Sequence, residues 1–189
     1  MDTKTHIGVE QQIASILKSN GVPYVFGMPG GGSSIDLIEA CRSENIPFIL
    51  LQHETAAALM AVVCGDLTDS CGVALSIMAT GAANLTGAAA YAYLERHPLL
   101  CVTECYGPSQ VQAMSLQKID HVQAFAAYCK DSITLGHADA GTQINRAIQL
   151  AMSEKPGPVH VDYPLDVGSF SSSSTGALPE TDDYLKIDG

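Results

Sequence analysis

Short apolar runs, each ended by a turn of glycine, proline or small polar residues, recur along this chain between segments of helical period. Val22 to Phe26, Ile46 to Leu51, Gly72 to Met78, Pro98 to Thr103, Ser132 to Leu135 and Pro158 to Asp162 are the strand-like runs. Helical spacing appears first at Val9, Ile13, Ile16 and Leu17, ahead of a stop at Gly21. A second helix opens at Ser33, where Ser33 and Asp36 read as a capping-box variant. Further helical segments run from Glu54 to Asp66, Leu85 to Glu95, Ile119 to Tyr128 and Ala140 to Ser153. Runs that stay apolar, rather than alternating, belong to strands buried on both faces. Strands alternating with helices, joined by right-handed crossovers, give an α/β fold. The expected architecture is a doubly wound, three-layer α/β/α domain with a parallel sheet of about six strands over residues 1–167. Residues 168–189 are Ser-rich and then acidic, with little to bury. They read as a linker or tail leading to a further domain.

Charge limits the partners. The formal net charge is −11, with only nine Lys and Arg in all, whereas nucleic acid and anionic membrane both demand a basic surface. Neither is an expected partner. The apolar stretches fall short of the ~20 residues of a membrane span. The amino end lacks the pattern of a secretory signal, so the expected location is cytoplasmic. Six cysteines show neither CxxC nor paired zinc spacing, and most lie inside apolar runs. They read as reduced thiols acting as small hydrophobes. The six histidines also lack metal-ligand spacing, so no metal is assigned to this chain.

Three turns fall at the carboxyl ends of expected strands, where open α/β folds place their chemistry. The first is Gly27-Met-Pro-Gly-Gly-Gly-Ser-Ser. It has the glycine spacing of a P-loop, but Ser33 stands where the lysine belongs, and Pro29 removes a backbone donor. Either it is a tight strand-to-helix turn, or its glycines let a planar ligand approach the backbone. At the second turn, His53-Glu54 ends one apolar run and starts an alanine-rich helix. Glu54 is open to two roles, a helix-start acid favoured by the macrodipole or a carboxylate used in chemistry. The third, Ala79 to Asn84, is again rich in small residues. Taken alone, Asn84 reads as a cap.

In order, these motifs resemble a known family. The PGGG loop, His53-Glu54 with its alanines, Thr80-Gly81-Ala82-Ala83-Asn84-Leu85, His97-Pro98-Leu99-Leu100 and the segment from Lys155 to Pro164 are similar to the pyrimidine-binding domain of thiamine diphosphate enzymes. The group is that of acetolactate synthase, benzoylformate decarboxylase and sulfopyruvate decarboxylase. The resemblance runs from Gln11 to Val167. It implies that Glu54 hydrogen-bonds the aminopyrimidine ring and promotes its imino tautomer, which then deprotonates the thiazolium carbon. It also implies that Pro29, Gly30 and Gly31 face the cofactor, and that Thr80, Gly81 and Asn84 pack near the pyrimidine. His53 and Gln117 fall on the substrate side.

The implied activity is that of a lyase or transferase on 2-oxo acids, a decarboxylase or carboligase using thiamine diphosphate. Three features depart from the family. The second turn reads Ala79-Thr80-Gly81 where acetolactate synthases usually carry Gly-Pro-Gly, and the residues after Glu54 lack the usual glycine. The GDG…NN motif that holds diphosphate and Mg2+ is absent, since Gly65-Asp66 is followed by Leu67. The chain is therefore expected to supply half an active site and to be inactive alone. Its expected partners are a second copy, in a homodimer or tetramer, and a diphosphate- and Mg2+-binding domain or subunit. The alternative is a non-catalytic α/β ligand-binding or regulatory module.

Overall fold

The computed structural model describes residues 8–136 and 138–167. The expected linker at 168–189 lies outside the described residues. Six parallel strands form one sheet in the order β2-β1-β3-β4-β6-β5. They are β1 (Val25–Met28), β2 (Phe48–Leu50), β3 (Gly72–Ser76), β4 (Leu99–Cys105), β5 (Ser132–Thr134) and β6 (Pro158–Pro164). The helices are α1 (Val9–Ser19), α2 (Ser33–Ser43), α3 (Glu54–Thr68), α4 (Thr80–Glu95), α5 (His121–Phe125) and α6 (Ala140–Met152).

Strand alternation divides the core into two layers. Val73, Leu75, Leu100, Val102, Val159, Val161 and Tyr163 point to one face, where Ile13, Leu17, Leu37, Ile144 and Ile148 of α1, α2 and α6 cover them. Phe26, Ala74, Leu99 and Cys101 point to the other, packed by Ala57, Ala58, Ala61, Ala82, Leu85, Ala88 and Phe125 of α3, α4 and α5. The second layer is built largely of alanines, so α3 and α4 lie close to the sheet. At Gly72 a side chain would collide with the Ala61 carbonyl of α3. The architecture is the three-layer α/β/α sandwich that the sequence pattern implies.

Several boundaries shift for local reasons. The strand expected from Val22 starts at Val25. The Val22 N–H closes α1 by donating to the Leu17 carbonyl, and Pro23 has no N–H to give to a ladder. Likewise the Ile46 N–H returns to Cys41 at the end of α2, and β2 begins only after Pro47. The helix expected from Leu85 starts a turn earlier, at Thr80. The helix expected at Ile119–Tyr128 contracts to His121–Phe125, because Asp120 caps it by accepting from the Gln123 N–H at 2.9 Å. The capping box at Ser33 does not form. Gly32 is the N-cap of α2, with no side-chain capping bond.

The strand order reverses between β1 and β3, so chain leaving their carboxyl ends runs to opposite faces of the sheet. Such a switch point opens a crevice. The Pro29–Gly32 loop and the Ala79–Thr80 turn flank it.

Candidate functional site

Glu54 is the first residue of α3 and is 6% exposed. His53 precedes it as N-cap, its Nδ1 accepting the Thr55 N–H at 3.2 Å. A reciprocal latch ties this helix start to α4. The Asn84 amide donates to Glu54 Oε2 at 2.9 Å, and the Thr55 hydroxyl donates to the Asn84 carbonyl at 2.5 Å. Asn84 is therefore not a cap; it lies inside α4 and orients the carboxylate. Glu54 Oε1 accepts no hydrogen bond among the described residues. Gly81 lies flush against it, since a β-carbon there would stand 3.0 Å from Oε1 and 2.7 Å from the Ile77 side chain. A buried carboxylate thus has one oxygen fixed by Asn84, while the other lies against Gly81.

The structure brings Glu54, Gly81 and Asn84 together. Thr80 is exposed at the start of α4. Pro29, Gly30 and Gly31 form the loop after β1, on the opposite side of the switch point. His53 is exposed, and its one described bond is the cap. Gln117 does not join the Glu54 cluster. It has φ +52° and lines a cavity with Met78, Tyr106, Gln112, His121 and Asp162.

Glu104 holds the glycine loop, a role that sequence spacing did not expose. It is 1% exposed, and its Oε1 accepts from the Ser34 hydroxyl at 2.6 Å, the Ser34 N–H at 2.9 Å and the Gly32 N–H at 3.2 Å. The Ser34 hydroxyl in turn accepts the Gly30 N–H at 3.0 Å. Glu104 Oε2 lies where a Gly30 side chain would be, so only glycine fits there. Two of the N–H groups that such a loop could offer to phosphate, those of Gly32 and Ser34, are here taken by the protein's own carboxylate. The glycine spacing is therefore that of a loop wrapped around Glu104.

A second buried network adjoins the cavity that Gln117 lines. Register pairs Thr103 with Asp162 across β4 and β6, and His160 points to the same sheet face as Asp162, two residues away. The Thr103 hydroxyl donates to Asp162 Oδ1 at 2.7 Å, so its oxygen is left to accept from His160 Nε2–H at 2.8 Å. His160 Nδ1 then accepts from the Ser132 hydroxyl at 2.6 Å. His121 Nε2 accepts the Ala79 N–H at 3.0 Å, which leaves its Nδ1–H to donate to Asp162 Oδ1 at 2.7 Å. One tautomer of each ring satisfies every bond. Burial, with smaller opposing and reinforcing effects from Asp162 and His121, pushes the His160 pKa down to about 4, and Phe125 stacks on its ring at 4.1 Å. His121, His160 and Asp162 have ligand atoms within 4.8 Å of one another, but the ring nitrogens already have partners in this network. The signal available in the sequence was His160-x-Asp162 inside an apolar strand.

All six cysteines are free. Burial pushes Cys41, Cys71 and Cys129 up to about 12, and Cys101 and Cys105 also upward. Cys41, Cys71 and Cys101 are thiols of the core, and Cys64, Cys105 and Cys129 are partly buried. No helix among the described residues is long and apolar enough to cross a membrane.

Comparison with known proteins is decisive for the family. The sequence model described as "Thiamine pyrophosphate enzyme, N-terminal TPP binding domain" matches residues 7–124. This chain belongs to the thiamine pyrophosphate enzymes. Within that family, it is 34% identical over 157 residues to an acetolactate synthase of Arthrospira platensis, covering 81% of this chain and 27% of the relative. Against the acetolactate synthase large subunit of Lactococcus lactis, the identity is 33% over 161 residues, covering 84% and 28% respectively. Against 2-hydroxyacyl-CoA lyase 2 of Mus musculus it is 31% over 158 residues, covering 83% and 25%. The chain thus spans only about a quarter to a third of the length of such relatives.

Proposed function

We propose that this chain is the pyrimidine-binding half of a thiamine diphosphate-dependent 2-oxo acid decarboxylase or carboligase. The observation that carries this reading is the divided carboxylate of Glu54. Asn84 fixes Oε2, while Oε1 lies against Gly81 and accepts no hydrogen bond among the described residues. A ring nitrogen that shares a proton fits such an oxygen. When bound, thiamine diphosphate supplies a carbanion-stabilising centre that a side chain cannot provide.

The chain's own part is to bind, orient and move a proton. Glu54 Oε1 exchanges a proton with the aminopyrimidine ring nitrogen. Asn84 keeps Oε2 from rotating into that role. Gly81 leaves room for the ring to approach, and the Pro29–Gly31 loop closes the far side of the crevice. Gln117, with His53 at the helix start, faces the substrate side. Diphosphate and Mg2+ are held by a second domain or subunit, because this sequence lacks the motif that would hold them.

Pairing through α3 and α4 completes the site. Buried alanines of both helices face the sheet, while Leu59, Met60, Val63, Leu67, Tyr91 and Leu94 are exposed on the same two helices. Helices apolar all round are buried on both sides, which supports a homodimer or tetramer through this surface. The names of the relatives, synthase and lyase alike, are consistent with making or breaking a carbon–carbon bond.

The test is turnover of a 2-oxo acid by the assembly of this chain with its diphosphate-binding domain. Glu54→Gln should abolish turnover while preserving the fold. Full activity in that variant would refute the reading.

A further inference from the structure

The turn that presents Gly81 and Asn84 to Glu54 carries an unexplained strain. Ala79, the N-cap of α4, has φ +55° and ψ −99°, a conformation disfavoured for any residue with a β-carbon. Its methyl can offer no capping bond. What holds it comes from 42 residues further along the chain: His121 Nε2 accepts the Ala79 N–H at 3.0 Å, with both residues buried. Asp162, itself fixed by Thr103, takes the Nδ1–H of the same ring. That bond leaves the Nε2 lone pair facing Ala79. Beyond Ala79 the geometry is short and stiff. The Ala79 carbonyl accepts from Ala83 at 2.8 Å, Gly81 abuts Glu54 Oε1, and Asn84 grips Oε2.

We propose that His121 is a positioning residue, locked by Asp162 as its Nδ1–H tautomer, that holds the strained Ala79 turn and thereby sets Gly81 and Asn84 against Glu54. This role rests on the assignment of Glu54 to the cofactor ring. It also ties the cofactor turn to the loop before α5, because His121 lines the same cavity as Gln117 and Met78. A displacement of that loop is transmitted to Glu54 through one hydrogen bond.

The first readout needs neither cofactor nor activity. In the 189-residue chain, 15N spectra of His121 should show a protonated Nδ1 and an unprotonated Nε2. The Ala79 amide should exchange slowly, and His121→Phe should accelerate it about tenfold or more relative to the amides of β4. His121→Gln, whose amide can accept from Ala79 and donate to Asp162, should restore the protection. In the holoenzyme assembly, His121→Phe should lower kcat roughly tenfold to a hundredfold, as misplaced catalytic groups do. Adding Ala79→Gly should recover most of that loss, because glycine takes φ +55° without being held. General damage to the core would not be cured by a glycine at the turn. Unchanged Ala79 exchange in His121→Phe, an Nε2–H tautomer, or no recovery with Ala79→Gly would each overturn the proposal. Glu54→Gln in the same assembly separates the two ideas. If it abolishes turnover while His121→Phe changes nothing, only the positioning role falls. If it leaves turnover intact, the cofactor assignment falls, and the exchange data still decide whether His121 holds the turn.

Discussion

Glu104→Gln tests what the buried charge contributes to the glycine loop. The substitution keeps shape and leaves an amide oxygen able to accept from the Gly32 N–H, the Ser34 N–H and the Ser34 hydroxyl. It removes the charge and puts an amide nitrogen in place of Oε2, against Gly30. A hydrogen bond to a charged group contributes about 1.5–3 kcal/mol, and a neutral one about 0.5–1.5 kcal/mol. Each of the bonds therefore loses roughly 1 kcal/mol. A single oxygen takes them all, so the losses overlap, and a total of about 2 kcal/mol is expected. Glu104 is 1% exposed, so solvent screening does not reduce this. In urea, with a slope of about 1–3 kcal/mol per molar, the midpoint should fall by roughly 1 M without a change in slope. Ser34→Ala should couple to Glu104→Gln by about 1 kcal/mol in a double-mutant cycle. A variant as stable as the wild type, or more stable, would show that desolvation of the carboxylate cancels its bonds. The loop would then be shaped by glycine alone.

The remaining expectations follow from the other buried groups. His160 has a folded pKa of about 4 against an ordinary 6.5, so the unfolded chain takes up the proton first as the pH falls. Its contribution is full above pH 6.5, is lost between 6.5 and 4, and amounts to about 3 kcal/mol. In an NMR titration the His160 ring should stay neutral down to pH 5, and a midpoint near 6.5 would contradict the buried network. With both side chains buried and burial raising their pKa values, Cys41 and Cys71 should resist a thiol reagent at neutral pH until urea unfolds the chain. Rapid labelling of those two in the folded protein would contradict the packing.

The fold was legible because it is dictated by patterns that are local along the chain. Uninterrupted apolar runs such as Leu99–Val102 mark strands covered on both faces, and alanines at α3 and α4 mark helices that must lie close. The position of Glu54 was legible for the same reason: a carboxylate just past the end of an apolar run falls at the strand-to-helix turn. What was not legible depends on register. Glu104 reads as the first residue of a loop, and nothing local reveals that it reaches Ser34, 70 residues away. For that reason the Ser33–Asp36 spacing suggested a capping box, while the donors at the start of α2 go to a distant acid. His121 and Asp162 meet only once β4 and β6 are paired, and the need for them at Ala79 appears only as a backbone angle.

The central claim is that Glu54 exchanges a proton with the aminopyrimidine ring of thiamine diphosphate. The most direct measurement is the rate at which the thiazolium C2 proton of the bound cofactor exchanges with solvent deuterium. It would be made in the assembly of this chain with its diphosphate-binding domain, and compared with Glu54→Gln. Glu54→Gln should slow exchange by about two to four orders of magnitude, the range of a positioned acid–base group, with the cofactor still bound. Equal rates in the two proteins would contradict it.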